Sequence, residues 1–116
     1  MYEYTAKILN VVDGDTLDLS VDLGFHITSF LRIRLAEINT EELRDKDIAK
    51  RAMAVNAKNR VISLCQEKGY EDVKIFTFKD KKEKYGRYLA KVLFKDGSCL
   101  NQILLDEGIA KRYGDD

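Results

Sequence analysis

An Asp13-Gly14 pair sits between two runs of alternating apolar residues, and this limits the fold more than any other feature of the chain. Asp-Gly favours the tight turn of an antiparallel hairpin, because both residues tolerate the backbone angles such a turn needs. Upstream, Tyr4 to Val12 reads as a strand. Downstream, Leu17, Leu19, Val21 and Leu23 alternate with polar residues, the period of a half-buried strand from Thr16 to Leu23. Gly24 punctuates it, and Ile27 to Ile38 reads as a third strand. On that strand Leu31, Ile33 and Leu35 share one face, and Arg32 and Arg34 share the other.

The period then changes. Between Lys46 and Lys68, the residues Ala54, Ala57, Val61, Leu64 and Cys65 recur at steps of three and four, which makes one apolar helix face. Gly69 is a natural stop. Val73 to Phe78 and Tyr88 to Phe94 read as two further strands, joined by a charged segment from Lys79 to Lys84. Asp96-Gly97 turns the chain. Ser98 is placed to cap a short helix that packs Leu100, Ile103 and Leu104 inward and stops at Gly108. The order predicts an α+β chain, mainly β: a five-stranded OB-type barrel with a helix after strand three and a short C-terminal helix. Periodicity alone leaves other α+β folds open.

A chain of 116 residues suits one domain, here 1–116, and is long enough to bury a core. Its apolar fraction of 45% and charged fraction of 34% are those of a globular chain, not a disordered one. No apolar run approaches the roughly 18 residues of a membrane span. Met1 to Asn10 lacks a charged leader followed by an apolar stretch, so a cytoplasmic location is expected. Cys65 lies on the apolar helix stripe and Cys99 near the start of the last helix. Both are expected as reduced thiols, and without a Cys/His cluster zinc is disfavoured. His26, the sole histidine, reads as a strand or hairpin residue. Net charge is zero, which argues against a strong, non-selective clamp on nucleic acid but permits a local basic pocket for one or two phosphates.

Three short segments carry chemistry: Asp13-Gly14-Asp15-Thr16, then Arg32-Ile33-Arg34-Leu35 running on to Asn39-Thr40-Glu41-Glu42, then Lys84-Tyr85-Gly86-Arg87. In this order they supply a carboxylate for a metal, a second oxygen ligand, a carboxylate base and two guanidinium groups. That is the equipment for attacking a phosphodiester, since arginine's planar fork matches phosphate oxygens and a carboxylate can take a proton from water. Each segment has a plainer reading. Asp13 and Asp15 can merely shape a turn, strand arginines are usually solvated, Tyr-Gly often just turns the chain, and Glu41, Glu42, Arg44 and Asp45 can form a solvated cluster.

The ordered set resembles a staphylococcal-nuclease-type domain, whose pattern has an Asp-Gly-Asp-Thr turn, an Arg-x-Arg-Leu strand ending in Asp-Thr-Pro-Glu, and a Lys-Tyr-Gly-Arg turn. The resemblance runs from about Tyr4 to Tyr113. It implies Asp15, Asn39 and Thr40 as ligands of a calcium ion, Thr40 through its backbone carbonyl. It implies Glu42 as the general base, Arg34 gripping the scissile phosphate and Arg87 stabilising the charge that builds on it. Lys84 and Tyr85 are implied to contact substrate, and Tyr113 to line the nucleotide pocket. Arg32 takes the place of Arg34 if the strand register shifts.

Two departures stand out. Asn39 replaces the usual aspartate, keeping a carbonyl oxygen but removing a charge, so calcium binding should be weaker. Glu41 replaces proline, which frees a fixed backbone angle and adds negative charge. The pattern's further C-terminal helix is expected to be missing or reduced to a turn. The reading is a monomeric calcium-dependent nuclease that cleaves DNA or RNA, with single strands expected, and the resemblance implies weak base preference and cleavage that leaves a 3′-phosphate. Its rival is an inactive OB-fold module that binds single-stranded nucleic acid or a protein partner.

Overall fold

The computed structural model describes residues 2–82 and 87–113, without the side chains of 78–82. Strand β1 (Tyr2–Asp13) turns at Gly14 and Asp15 into β2 (Thr16–Asp22), with Asp13 opposite Thr16. Strand β3 (Thr28–Leu35) pairs antiparallel with β2, setting Thr16 against Arg34, Asp18 against Arg32 and Ser20 against Phe30. After β4 (Ile38–Asn39) and helix α1 (Ile48–Lys68), strands β5 (Val73–Lys82) and β6 (Tyr88–Leu93) complete a closed barrel in the order β1-β2-β3-β6-β5. Closure comes from a short parallel contact of β6 with Ile33, Arg34 and Leu35 at the end of β3. Helix α2 (Leu100–Asp106) and β7 (Lys111–Arg112) follow. This is the five-stranded OB-type barrel that the element order predicts.

The inward positions of the strands fill the barrel. Leu17, Leu19, Val21, Ile33, Leu35, Ile75 and Val92 are buried, and α1 adds Val61, Leu64 and Cys65 to the same core. The apolar stripe of α1 is therefore the face predicted from its spacing. Asp47 caps that helix, accepting from the amides of Ala49 and Lys50, and Gly69 ends it with its N–H on the Cys65 carbonyl. Cys65 and Cys99 are not bonded to each other.

The structure corrects the sequence reading at several places, among them β5, which runs on to Lys82 where a joining segment from Lys79 was expected. The third strand stops at Leu35, not Ile38, because Glu37 takes a left-handed backbone conformation (φ 67°). Ile38–Asn39 then leaves the barrel and pairs with Lys111–Arg112 in a separate two-stranded sheet. Ser98 does not cap α2: its hydroxyl and its amide both donate to Asp96 Oδ1, and Cys99 occupies the cap position without a side-chain bond. The helix expected from near Lys46 begins at Ile48, where the Asp47 cap sets its start.

Candidate functional site

The site is built where the β1–β2 turn meets the end of β3 and the strand β4. Gly14 makes that meeting possible. A Cβ there would lie 2.7 Å from Ala57 Cβ and 3.0 Å from Thr40 Oγ1, so only glycine lets α1 and the residue after β4 pack on the turn. Asp15 follows, held from several sides. Its N–H donates to Asp13 Oδ1 at 3.1 Å, and its carbonyl accepts from the Leu35 amide at 2.8 Å. Its carboxylate accepts from Thr16 Oγ1 at 3.1 Å through Oδ1 and from the Thr40 amide at 3.3 Å through Oδ2.

Arg34 points into this turn from β3. Its Nη2 lies 3.6 Å from Asp15 Oδ2 and donates to Asn39 Oδ1, while Nη1 reaches the Leu35 carbonyl at 3.4 Å. The guanidinium also lies over the Tyr113 ring, 5.2 Å from its centre, a cation–π contact. Tyr113 is held there by its amide, which donates to the Glu37 carbonyl at 2.9 Å. The left-handed turn at Glu37 thus serves the site twice, leading on to Asn39 and anchoring Tyr113, both of which contact Arg34. Arg87 joins from the start of β6, with Nη1 donating to Thr16 Oγ1 at 3.1 Å.

Burial separates Arg34 from Arg32. Arg32 is 54% exposed and is engaged by Asp18 through two bonds of 2.8 and 3.1 Å. Those bonds hold the Asp18 carboxyl below the usual carboxylate range. Arg34 is the arginine that enters the Asp15 cluster. Charge is crowded there: burial, then the hydrogen bond and charge of Asp15, push the Asp13 carboxyl up to about 6.

Asp15, Arg34, Asn39, Thr40 and Tyr113 are thus brought together, and Thr16 links Arg87 to them. Glu42 is exposed on the segment between β4 and α1, and no contact among the described residues joins its carboxylate to Asp15 or Arg34. Lys84 and Tyr85 lie outside the described residues. Thr16 is the participant to which sequence reasoning gave no role. It stands inside the Asp-Gly-Asp-Thr segment, and its hydroxyl is the bridge between the carboxylate and the second arginine.

Among the described residues, no three His, Cys, Asp or Glu side chains group to hold a metal. The oxygen-bearing groups nearby are Asp15, Asn39 and Thr40, with Asp13 beside Asp15, and hard oxygens suit calcium or magnesium. The hydroxyl of Thr40, packed beside Gly14, is buried without a hydrogen-bond partner. The donor set fits a hard cation held by few charges.

A family model described as staphylococcal nuclease homologue matches residues 32–115. The matched segment carries Arg34, Asn39, Thr40, Glu42, Arg87 and Tyr113, whereas the Asp15 turn precedes it. No curated protein matches the chain. With most of its length matched, and with the barrel that brings Arg34 and Asp15 together, the chain belongs to the staphylococcal nuclease homologue family.

Proposed function

We propose that this nuclease-like OB-fold module is a calcium-dependent phosphodiesterase acting as a monomer on single-stranded DNA or RNA. The observation that carries the reading is the buried apposition of Arg34 and Asp15, 3.6 Å apart, with Thr40 and Asn39 bonded to the same pair. A structural ion pair needs only two partners. This one adds an amide oxygen, an orphaned hydroxyl and, through Thr16, a second arginine.

Arg34 offers five N–H donors, of which the Leu35 carbonyl and Asn39 engage two. The remainder can bind phosphate oxygens, with Tyr113 fixing the plane of the guanidinium. Arg87, oriented by Thr16, supplies a second set of donors for charge that builds on the phosphoryl group. Glu42, exposed and without a partner among the described residues, is free to accept the proton of the attacking water. Lys84 and Tyr85 contact the substrate beside the scissile bond. Asp15, Asn39 and Thr40 would hold calcium, which when bound neutralises a non-bridging phosphate oxygen. The product carries a 3′-phosphate.

One observation favours the rival. The Asn39 amide oxygen is taken by Arg34, so the two groups satisfy each other without any ligand. That suits a module that binds single-stranded nucleic acid and does no chemistry. A gel assay of labelled single-stranded DNA and RNA with calcium, magnesium or chelator separates the two. Chelator-sensitive cleavage supports the enzyme, and retention of intact oligonucleotide in every condition supports the binder.

A further inference from the structure

The outward face of β3 does not end at Arg34. Arg32 and Phe30 follow on the same face at steps of two, with Asp18 and Ser20 opposite them on β2. At about 6.7 Å per two residues, Phe30 lies roughly 13 Å from Arg34 along the strand. Phe30 is 75% exposed, and its cross-strand neighbour is a small serine. Among the described residues β6 covers only Ile33 to Leu35, so the segment from Thr28 to Arg32 has β2 on one side alone.

A lone exposed aromatic is ordinary. This one is in line with a second flat group. The two bonds that Arg32 donates to Asp18 hold its guanidinium in one plane, and the carboxylate neutralises it. A neutralised, immobilised guanidinium is a poor phosphate anchor but a good surface for a base to stack on. From the site outward, the face therefore reads as a phosphate group, a flat polar group and an aromatic ring. Exposed Leu23, Phe25 and Ile27 lie farther on, at the hairpin end.

We infer that Arg32 and Phe30 form a base-stacking track for single-stranded nucleic acid that leads up to Arg34. The inference rests on the nucleic-acid reading of the site and extends it to a stretch of substrate remote from the reacting phosphate. A strand would need about four stacked nucleotides, at roughly 3.4 Å each, to reach from Arg34 to Phe30, fewer if stretched. Duplex is excluded because its bases are already paired and stacked, whereas single-strand binders stack exposed bases on aromatic side chains.

The test is fluorescence anisotropy with a labelled single strand of about ten nucleotides, run in chelator so that nothing is cleaved. Phe30→Ala should bind about 5- to 100-fold more weakly than wild type, with the salt dependence unchanged because no phosphate contact is lost. Phe30→Tyr should restore binding, and a duplex of the same sequence should bind wild type and Phe30→Ala alike. Equal single-strand affinity for wild type and Phe30→Ala overturns the track, as does failure of Phe30→Tyr to restore it. So does a sedimentation result in which Phe30→Ala dissolves a dimer and leaves affinity untouched, for the face would then belong to a second copy. The two readings fail separately. Cleavage by wild type alongside unchanged binding by Phe30→Ala removes the track and leaves the nuclease. Absent cleavage alongside the weakened binding removes the nuclease and leaves the track.

Discussion

Arg34 Nη2 stands 3.6 Å from Asp15 Oδ2, and the two side chains are only 9% and 11% exposed. The same nitrogen donates to Asn39 Oδ1, so one guanidinium serves both of the side-chain oxygens proposed to hold a cation. Removing one partner of such a buried pair leaves the other charge uncompensated, which is far more damaging than losing a surface ion pair. We predict that Arg34→Met lowers unfolding stability in chelator by about 3 kcal/mol. Calcium should recover part of the loss by binding the carboxylate left unpaired. Urea unfolding with and without calcium measures both effects, and an unchanged midpoint for the variant in chelator would contradict the pairing.

In the proposed calcium site Asn39 is the ligand that sets how well the cation is held. Restoring a carboxylate by Asn39→Asp adds a charge a few ångströms from the cation. That interaction is about 4 kcal/mol at an effective dielectric near 20, and desolvation offsets part of it. We predict weak calcium binding by wild type, near millimolar, and binding about 10- to 100-fold tighter in Asn39→Asp. Titration calorimetry on both proteins checks this. Equal affinities would place Asn39 away from the cation.

Asn101 holds the corner that carries these residues. Its Oδ1 accepts from the Val92 amide at 3.1 Å, and its Nδ2 donates to the carbonyls of Ala36 at 3.0 Å and Ala90 at 3.3 Å. The side chain is buried, so Asn101→Leu leaves backbone groups of β6 and of the turn after β3 without partners. We expect a loss of about 2–4 kcal/mol in stability, since each orphaned buried group is expensive. Calcium affinity should fall with it, because Ala36 leads directly to Asn39. Stability within about 0.5 kcal/mol of wild type would show that the clamp is dispensable.

The two thiols should differ in reactivity. Burial pushes the Cys65 thiol up to about 11, so at about pH 8 roughly one part in a thousand is thiolate. Cys99 is only half-buried. We predict that a thiol reagent titrates one cysteine in the native protein and two after denaturation. Its reaction with Cys65 should quicken as pH rises toward 11 or as the protein unfolds. Two fast thiols in the native state would mean that α1 is not seated on the barrel.

Much of this architecture is legible in the chain because its periods are clean. The alternation of Leu17, Leu19 and Val21, and the three-and-four spacing from Ala54 to Cys65, each select one buried face, and both faces are buried. The end of β3 was not legible. Ile38 continues the apolar alternation, but the left-handed turn at Glu37 and the pairing of Ile38 with Arg112 are non-local and leave no local mark. The position of Ser98 followed a sound capping rule, yet Asp96, two residues earlier, accepts from the Ser98 hydroxyl and draws it away from the helix amides. Within the site, Asp15 and Arg34 could be picked out from the order of the three segments and the resemblance they carry, whereas Arg32 flanks the same apolar positions and only burial tells it from Arg34. The bridging hydroxyl of Thr16 could not, because threonine is as common in strands for packing as for hydrogen bonding.

The most direct test of the central claim is the initial rate of single-stranded DNA hydrolysis by wild type and by Glu42→Gln at millimolar calcium. Glu42 is exposed, so the amide should leave the fold intact and remove only the proton acceptor. The nuclease reading predicts that wild type cleaves, that chelator stops it, and that Glu42→Gln is slower by about 10²-fold or more. A wild-type rate no higher than that of Glu42→Gln would contradict it and leave the chain a nucleic-acid-binding relative of the nucleases.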